Sequence, residues 1–528
     1  MTPQTCVLIA GGGQTGLSAA AFLAHHGVPC ILVERHPDVL SHPRQRSVPP
    51  RSMELYRQIG IEARIRAARS DFVGVADYVL IRAPTLASAT YLPVDKHDTT
   101  GNGAEAALIS PCAGAPIDQD RVERILRDRA TELGAQIRFG TELLDFTDHG
   151  DHIQARLRDR DGARHDVTAR YLIAADGGES PIRARLGIPL DRQDESYDLI
   201  SLLVDADLRP ATAGRTVHMA FLEQPRPRTF LMALDLTGRR WAFGTTDLPG
   251  AAEHDEEASI ELVRRAVGLP SVAVRLRPQI PGTTQTVLRF RVGAAVASRY
   301  RAGNVFVAGD AAHLMPPTGG FGGATGVQDV HNLAWKIAAT ARGEAGDGLL
   351  DTYEQERRPA AGFTVAQALA RSRQRLTVEN GDTPVVDRAT VMFGYRYRSA
   401  AVLDPTGDRG PVPATALRAE PGTRAPYVAD LLDRYGSGFV LLTGPAGAAW
   451  ATAARTLPNL TTPNLTIHSA NPHRHGIEAD GAVLVRPDGI VAWRSPGGQP
   501  QPAEILREVL NAVLARTEPL PARLEPAE

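Results

Sequence analysis

Buried-strand patterns and helical patterns alternate at the start of the chain. Residues 6–10 (CVLIA) are apolar throughout, which is typical of a parallel strand buried on both faces. A glycine cluster, an Ala- and Leu-rich stretch and a second apolar run follow, ending at Glu34. This order predicts a βαβ unit. The buried-strand pattern returns at 171–175 and at 304–308, each time before an Asp-Gly or Gly-Asp pair.

The rest of the chain divides into segments with different patterns. An amphipathic helix is predicted from Asp118 to Leu133, because apolar residues recur on one face. Irregular strands of a substrate-facing layer are predicted between about 75 and 110, and further strands from about 135 to 180. The 185–285 stretch is strand-rich with a helix near 257–267, as expected for an inserted layer. Long helices are expected up to about Ser372, and five prolines within 404–426 indicate a linker.

These patterns predict an α/β protein with a Rossmann-like nucleotide-binding domain, an inserted β-rich domain and a small C-terminal α/β domain. The parts of the Rossmann-like domain are 1–74, 111–184 and 286–403. Those of the inserted domain are 75–110 and 185–285, followed by a linker at 404–426 and the C-terminal domain at 427–528.

Composition removes several classes of partner. With 528 residues, two or three domains are expected. The 58 Lys and Arg residues against 60 Asp and Glu residues leave a net charge of −2, which gives no general electrostatic reason to bind nucleic acid or a membrane surface. Three cysteines without a Cys-x-x-Cys pair fit a reducing compartment, and no apolar stretch is long enough to span a bilayer. A cytoplasmic location is therefore expected, as a monomer or homodimer.

The strongest motif follows the first strand. Residues 11–16 (GGGQTG) fit G-x-G-x-x-G, in which Gly11 permits a tight turn, Gly13 lets a pyrophosphate approach the backbone and Gly16 lets helix and strand pack closely. Glu34 lies 18 residues after Gly16, near the spacing of about 20 expected for a carboxylate that binds the adenosine ribose. The sequence therefore predicts dinucleotide binding.

A second glycine-rich segment follows the strand at 304–308. Asp310 is a strand-end carboxylate that could bind the hydroxyls of a sugar-like chain, and the glycines at 319–326 precede a helix whose N-terminus could hold negative charge. Reduced flavin carries such a charge. Taken alone, Asp176 and Asp310 would more often be turn residues, and His313 is expected to be a packed structural histidine.

Five ordered motifs resemble the class A flavoprotein monooxygenases, the FAD-dependent aromatic hydroxylases, and specifically the bacterial polyketide-tailoring hydroxylases with an extra C-terminal domain. They are the glycine fingerprint with Glu34, HPRQRSVPPRSME at 42–54, DGGESPIR at 176–183, the stretch from Gly309-Asp310 to Gly326, and YEQERRP at 353–359. The tail also resembles the thioredoxin-like domain of that family through PGTRAP at 421–426 and RPDG at 486–489. It lacks redox cysteines, so no redox chemistry is expected there.

In that family, the resemblance implies, NADPH or NADH reduces FAD, O2 adds to the flavin as a C4a-hydroperoxide, and one oxygen passes to an aromatic ring. The resemblance places Asp310 at the ribityl chain, Gln119 at the flavin, Asp176 at FAD and NADPH, and Arg44 and Arg46 near the isoalloxazine. The implied cofactor-binding residues are Gly11, Gly13, Gly16, Glu34, Arg35, Arg44, Gln119, Asp176, Gly309, Asp310, Gly320, Gly322, Gly323 and Ala324. The implied catalytic residues are Arg46, Pro316 and Pro317, since the prolines stiffen the chain beside the flavin.

Two positions depart from the family pattern. Ala324 stands where an Asn is usual in the glycine-rich turn, and Pro49 stands where an Asn often precedes Pro-Arg. The first change removes a side-chain amide that could touch the flavin pyrimidine. It therefore affects flavin tuning more than flavin binding.

Substrate contacts are harder to assign. Phe230, Met232, Trp241 and Phe243 are candidates for an aromatic cavity lining, although each alone would more often belong to a core. No metal site is expected, because His468, His473 and His475 lack a defined ligand spacing. The alternatives to aromatic hydroxylation are Baeyer–Villiger insertion into a related ketone and a non-catalytic flavin-dependent sensor. A flavin halogenase is disfavoured because W-x-W-x-I-P is absent.

Overall fold

The computed structural model describes residues 4–39, 45–70, 79–89, 103–193, 197–247, 255–280, 282–376, 383–404, 407, 410–457 and 464–516. For 79–80, 103–105 and 375–376 it describes the backbone alone. Arg44 lies outside these residues, as do parts of the predicted substrate-facing layer and linker.

Strands and helices alternate along the described residues. The strands are β1 (Thr5–Ala10), β2 (Cys30–Glu34), β3 (Ser47–Val48), β4 (Val79–Ala83), β5 (Ala115–Pro116), β6 (Gln136–Phe139), β7 (Glu142–Asp148), β8 (Ile153–Arg158), β9 (Arg164–Ala174), β10 (Leu190–Arg192), β11 (Tyr197–Asp205), β12 (Val217–Leu222), β13 (Thr229–Ala233), β14 (Arg240–Thr246), β15 (Arg275–Arg277), β16 (Val287–Val292), β17 (Ala295–Ala297), β18 (Arg301–Ala302), β19 (Val305–Val307), β20 (His313–Leu314), β21 (Val440–Thr443), β22 (Thr466–Ser469), β23 (Ala482–Val485) and β24 (Val491–Ser495). The helices are α1 (Gln14–His25), α2 (Pro50–Gln58), α3 (Glu62–Ala67), α4 (Gly103–Ile109), α5 (Gln119–Glu132), α6 (Pro181–Arg185), α7 (Glu256–Val267), α8 (Gly322–Ala341), α9 (Gly348–Leu376), α10 (Arg388–Phe393), α11 (Ala448–Thr456), α12 (Pro472–His475) and α13 (Pro502–Val513). Short 3-10 turns lie at Gly309–Ala311, Ala414–Ala416 and Leu432–Arg434.

The first sheet has the order β18-β19-β9-β1-β2-β6, and β8 joins β7 to β9 at its side. β1 pairs in parallel with β2 and β9, and β9 pairs in parallel with β19. The predicted βαβ unit and the two later buried strands are thereby confirmed. Because the chain proceeds from β1 to β2 in one direction while β9 and β19 lie on the other side, the crevice at the carboxyl ends of β1 and β9 is the topological switch point, where ligands bind in such sheets.

Small side chains allow α1 to lie close to its neighbours. Ala19, Ala20 and Ala21 are fully buried, and α1 contacts both α5 and α8. The predicted amphipathic helix is confirmed as α5, with Asp118 and Leu133 at its two caps. This packing fixes the N-terminal ends of α1 and α8 beside the first sheet.

A second sheet forms the inserted domain, in the order β15-β11-β14-β13-β12-β4, with β16 also paired to β11. One of its faces packs against α7, which starts at the predicted place because Asp255 accepts a hydrogen bond from the Ala258 N–H and ends at Gly268 in a left-handed conformation. Within the predicted 75–110 segment, β4 confirms a strand, whereas residues 103–109 form a helix, α4.

The third sheet, β22-β21-β23-β24, forms the C-terminal domain with α11 and α13. The prediction that 404–426 is a linker is wrong for its second half, because Thr423 and Arg424 are buried and the Ala425 N–H binds the Gly489 carbonyl. Gly422 has a φ of +88°, and a Cβ there would overlap the Tyr397 carbonyl oxygen. The proline and glycine thus build a tight turn inside the structure rather than an extended spacer.

Buried ions join the C-terminal domain to the helices of the first domain. Glu356 on α9 accepts hydrogen bonds from Lys336 at 2.8 Å, from Asn332 at 2.7 Å and from Arg486 at 2.9 Å. Burial opposes ionisation of Glu356, but the charges of Arg486 and Lys336 hold its pKa below the usual range. Burial also lowers the pKa of Lys336 to about 8. We call Lys336, Glu356, Arg486 and Asp488 the interface ion cluster.

Within the described ranges, no helix combines the length and the apolar character needed to cross a membrane.

Candidate cofactor and active site

Three loops meet at the carboxyl ends of β1, β9 and β19. These loops comprise residues 11–16, 175–183 and 308–326, and we call them the loop cluster. A Cβ on Gly11 would overlap the Ala175 carbonyl oxygen, so the first two loops touch through their backbones. A Cβ on Gly309 would lie 2.5 Å from the Thr15 hydroxyl oxygen, and one on Gly326 would overlap the same hydroxyl. The structure therefore brings together the three segments that sequence analysis singled out.

The glycines of the fingerprint differ in their surroundings. A Cβ on Gly16 would overlap the Gly11 carbonyl oxygen, whereas a Cβ on Gly13 would find no protein atom nearer than Glu123 Oε1 at 3.9 Å. Gly13 is the N-cap of α1, whose first turn contains no acidic residue. Gly13 is exposed and no side chain caps the helix, so this helix start is open. The first N–H groups of a helix have no intrahelical partner, and an open helix start therefore fits a pyrophosphate group.

Glu34 is fixed at the end of β2. Its carboxylate accepts the Gly12 N–H at 2.6 Å and the His36 N–H at 2.9 Å. A Cβ on Gly12 would lie 2.7 Å from Glu34 Cβ, so the middle glycine is also required. The G-x-G-x-x-G pattern assigns no role to position 12, although three consecutive glycines indicate a close approach there. Arg35 is exposed beside His36.

Asp176 supports the start of α6, whose N-cap is Ser180. Its carboxylate accepts the Ser180 hydroxyl at 2.6 Å and the Ile182 N–H at 3.2 Å, at the start of α6. Burial raises the pKa of Asp176 against these hydrogen bonds. Contact with FAD or NADPH stays a prediction for this residue.

Arg183 connects two of the loops. Its guanidinium donates to the Gly178 carbonyl at 3.0 Å and to the Ala311 carbonyl at 2.9 Å. Arg183 is the last residue of the DGGESPIR motif, and the motif alone assigns it no role. Its buried position shows that it holds the 175–183 loop against the turn that contains Asp310.

Asp310 is exposed in the 3-10 turn Gly309–Ala311. Gly309 has a φ of +62°, which glycine adopts without strain. The exposed carboxylate at the end of β19 therefore remains accessible to a polar ligand. Beyond it, Pro316 is buried and Pro317 is exposed, and the Pro317 carbonyl accepts the Gly320 N–H at 3.1 Å.

The N-terminus of α8 presents Gly323, rather than Ala324, to the other loops. A Cβ on Gly323 would lie 2.8 Å from Gln14 Oε1 and would overlap Gln45 Oε1. Ala324, preceded by Gly322 and Gly323, points instead into a small cavity that Gln328 and Arg357 also line. A side-chain amide at 324 would therefore face α9, and the departure from the family pattern bears on this cavity.

Gln119 is the first residue of α5, and Arg46, which precedes β3 in the chain, lies beside this helix start. The Gln119 N–H donates to the Gln45 carbonyl at 3.0 Å, and its side chain donates to Glu123. Arg46 Nε lies 2.7 Å from Asp118 Oδ1, and its guanidinium also donates to the carbonyl of Ala233 on β13. Arg46 thus connects the first domain to the second sheet.

His218 on β12 is a neighbour of Arg46 that sequence analysis missed. Burial, with the Arg46 charge as a second cause, lowers the pKa of His218 to about 4. The imidazole is therefore neutral near pH 7. A lone histidine in a strand gives no sequence signal for this.

The four predicted substrate residues lie on two different faces of the second sheet. Phe230 and Met232 share a small cluster with Leu203 and Ala242, and we call this side the Phe230 face. Trp241 and Phe243 are fully buried on the opposite side, in the core that includes α7. The structure therefore does not bring them to Phe230 and Met232, since neighbouring residues of a strand point to opposite faces.

Among the described residues, no three His, Cys, Asp or Glu side chains come together as metal ligands. Glycine-lined loops at a switch point, an open helix N-terminus and a strand-end carboxylate instead fit FAD. Together with the inserted sheet, they define a flavoprotein with the fold of the class A hydroxylases.

Comparison with known proteins agrees with this class. Residues 4–368 match the FAD binding domain family, and residues 410–517 match the family described as aromatic-ring hydroxylase, C-terminal. Tetracenomycin B2 monooxygenase-dioxygenase of Streptomyces olivaceus is 38% identical, with 97% of this chain and 99% of the relative covered. 4-Methyl-5-nitrocatechol 5-monooxygenase of a Burkholderia species is 37% identical, with 97% of both chains covered.

A solved structure of aklavinone-11 hydroxylase with FAD and aklavinone is also similar. It has 34% identity and a TM-score of 0.86, with 98% of this chain and 100% of that chain covered. The chain therefore belongs to the FAD-dependent aromatic-ring hydroxylases. It is an FAD-dependent monooxygenase of this family, as the sequence motifs predicted.

Proposed function

We propose that this protein uses NADPH or NADH and O2 to hydroxylate an electron-rich aromatic ring of a polycyclic, polyketide-type substrate. The observation that carries the proposal is a connection between the two regions. Gln45 lies against Gly323 of the loop cluster, and the next residue, Arg46, donates to the carbonyl of Ala233 on β13, the strand that carries the apolar Phe230 face. The relatives named for tetracenomycin and aklavinone support a polycyclic substrate. The nitrocatechol relative makes a single-ring substrate the competing possibility.

The first and third loops of the loop cluster, together with Glu34, would hold FAD. The open turn at Gly13 binds the pyrophosphate, Glu34 binds the adenosine ribose, and Asp310 binds the ribityl chain. The N-terminus of α8 stabilises negative charge at the flavin pyrimidine through its free N–H groups. FAD held by these residues would supply the redox chemistry, which is two-electron reduction by the nicotinamide cofactor and the activation of O2.

The remaining steps belong to the protein. The Phe230 face would bind the flat, apolar part of the substrate and exclude water from it. The backbone at Pro316 and Pro317 donates no N–H there, so it leaves this side of the site apolar and stiff. Arg46 would hold the second sheet against the first domain, and neutral His218 would add no positive charge. We expect no obligatory protein base, because a phenolic substrate supplies its own electron pair once deprotonated.

Reconstitution tests this proposal directly. Purified protein is loaded with FAD, and NADPH and NADH oxidation is measured with a tetracyclic phenol, with 4-methyl-5-nitrocatechol, and without substrate. We expect faster oxidation with the tetracyclic phenol and a product with one additional oxygen, which derives from labelled O2. No stimulation by any aromatic compound would contradict the proposal.

The connectivity of the product separates hydroxylation from its closest alternative. A new ring hydroxyl supports aromatic hydroxylation. A lactone would instead show Baeyer–Villiger insertion at the same site.

A further inference from the structure

A buried carboxylate behind the loop cluster holds both ends of the turn that presents Asp310. Asp329 lies on α8 with no exposed surface. Its Oδ2 accepts the Gly309 N–H at 3.1 Å and the His313 Nε2–H at 2.8 Å. These two donors flank Asp310 in the chain, so one oxygen atom fixes the whole 309–313 segment.

The second oxygen of Asp329 is itself held in place. Arg357 on α9 donates its Nε–H to Asp329 Oδ1 at 2.8 Å. The same guanidinium donates to the Tyr397 hydroxyl at 2.7 Å and to the carbonyl of Thr325 at 3.2 Å. Thr325 belongs to the first turn of α8, so Arg357 connects the carboxylate to the helix end that faces the other loops.

Together these contacts determine how the Asp310 carboxylate lies relative to the N-terminus of α8. The orientation of the Gly309 N–H determines the path of the 3-10 turn and hence the direction of the Asp310 carboxylate. Thr325 and Gly309 lie on opposite sides of the same Asp329–Arg357 pair. The Asp329–Arg357 pair therefore fixes the distance between the Asp310 carboxylate and the N-terminus of α8.

We propose that Asp329, held by Arg357, is a positioning residue that sets Asp310 and the α8 N-terminus for the flavin. The proposal rests on the proposed function, because it assumes that these two elements bind the same FAD. Asp329 itself is buried and does not touch the cofactor. It acts through the Gly309 N–H.

The chain provides a matched control. Glu356 is also buried and lies next to Arg357 on α9, but its partners are Lys336, Asn332, Arg486 and Ser399, none of which belongs to the loop cluster. Glu356→Gln and Asp329→Asn each neutralise one buried carboxylate with almost no change in shape. Both should lower thermal stability, because each leaves buried cations without their partner.

The test is titration of the apoprotein with FAD, followed by flavin fluorescence, together with the melting temperature of each apoprotein. We expect Asp329→Asn to weaken FAD binding at least tenfold and to shift the absorption spectrum of the bound flavin. Glu356→Gln should bind FAD within twofold of wild type despite a similar loss of melting temperature. An Asp329→Asn protein that binds FAD as wild type does would overturn the inference, and so would equal weakening in both variants.

A second variant covers the case in which Asp329→Asn does not fold. Arg357→Lys keeps the positive charge but cannot donate to Asp329, Tyr397 and Thr325 at once. We expect it to weaken FAD binding several-fold, and unchanged binding would contradict the inference. Wild-type apoprotein that binds no FAD would instead overturn the proposed function. The wild-type titration is therefore carried out before those of the variants.

Discussion

The loop cluster and the Phe230 face are built in opposite ways. In the loop cluster, backbone atoms lie where side chains would be: those of another loop at Gly11, and those of the same loop at Gly16. On the Phe230 face, side chains from neighbouring strands form the surface, where Met232 is buried and Phe230 is half-buried. Substitutions at the glycines of the first region should therefore abolish FAD binding, whereas substitutions in the second region should weaken substrate binding by degrees.

The largest effect is expected from an added methyl group in the fingerprint. Gly11→Ala places a Cβ against the Ala175 carbonyl in a backbone with φ of +111°, so the β1 and β9 loops must separate. We expect no FAD binding and a large loss of melting temperature. Gly13→Ala brings its Cβ no nearer to the protein than 3.9 Å from Glu123 Oε1, which is an ordinary contact distance. It should abolish or strongly weaken FAD binding while the apoprotein melts as wild type does.

Calorimetry and flavin titration of the two variants check this pair. The comparison fails if Gly13→Ala destabilises the apoprotein as much as Gly11→Ala does. It also fails if Gly13→Ala binds FAD normally, because the open space beside α1 would then have another use.

The next largest effect concerns the covered side of the second sheet. Phe243 is fully buried in the core with α7, so Phe243→Ala should cost about 3–5 kcal/mol of unfolding free energy through the cavity it leaves. Denaturant unfolding measures this. Substrate KM should change little in the fraction that stays folded, and a specific rise in KM would show that this face contacts substrate after all.

A smaller, selective effect is expected on the other face. Phe230 is half-buried and lies over Gly244, so Phe230→Ala should lower the unfolding free energy by less than about 2 kcal/mol. It should raise the KM for a polycyclic substrate by roughly tenfold, because contact area is lost. Steady-state kinetics with the reconstituted enzyme provide the measurement, and an unchanged KM would remove this face from the substrate site.

The smallest effect is expected at Ala324. Gln328 Oε1 is buried without a hydrogen-bond partner among the described residues, and it lines the same cavity as Ala324. Ala324→Asn would supply a donor there and gain about 1 kcal/mol of stability. FAD affinity should stay within about threefold of wild type, since position 324 faces α9. A larger change would mean that the amide reaches the flavin.

Residue chemistry explains which parts of this structure the sequence predicts. Positions 11, 13 and 16 need glycine because it has no Cβ, and the G-x-G-x-x-G pattern therefore reveals them from the sequence alone. The two faces of β13 and β14 can also be separated by alternation, but which face α7 covers is set by tertiary packing. The predicted cavity lining therefore includes Trp241 and Phe243 together with Phe230, although their side chains point to the opposite face of the sheet.

Buried polar residues show the same limit. Asp176 after a strand fits a cofactor contact and a helix cap equally well, and the structure shows its hydrogen bonds to Ser180 and Ile182. Arg183 binds the Ala311 carbonyl, 128 residues further along the chain, so no local spacing marks this contact. Asp329 lies only 16 residues after His313, but nothing in the sequence shows that its side chain turns back to the 309–313 segment. Sequence patterns locate the backbone of the site, whereas long-range contacts determine what holds it.

The interface ion cluster couples the stability of the C-terminal domain to that of the first domain. Arg486 and Asp488 supply one cation and one anion to it, and Lys336 and Glu356 supply the others. A protein cut short near residue 403 would retain Lys336 and Glu356 but lose the other pair, and it would expose Trp335, which packs edge-on against Phe439. The two domains should consequently melt together in a single cooperative transition, and swapping in the tail of a relative would require matched charges on α8 and α9.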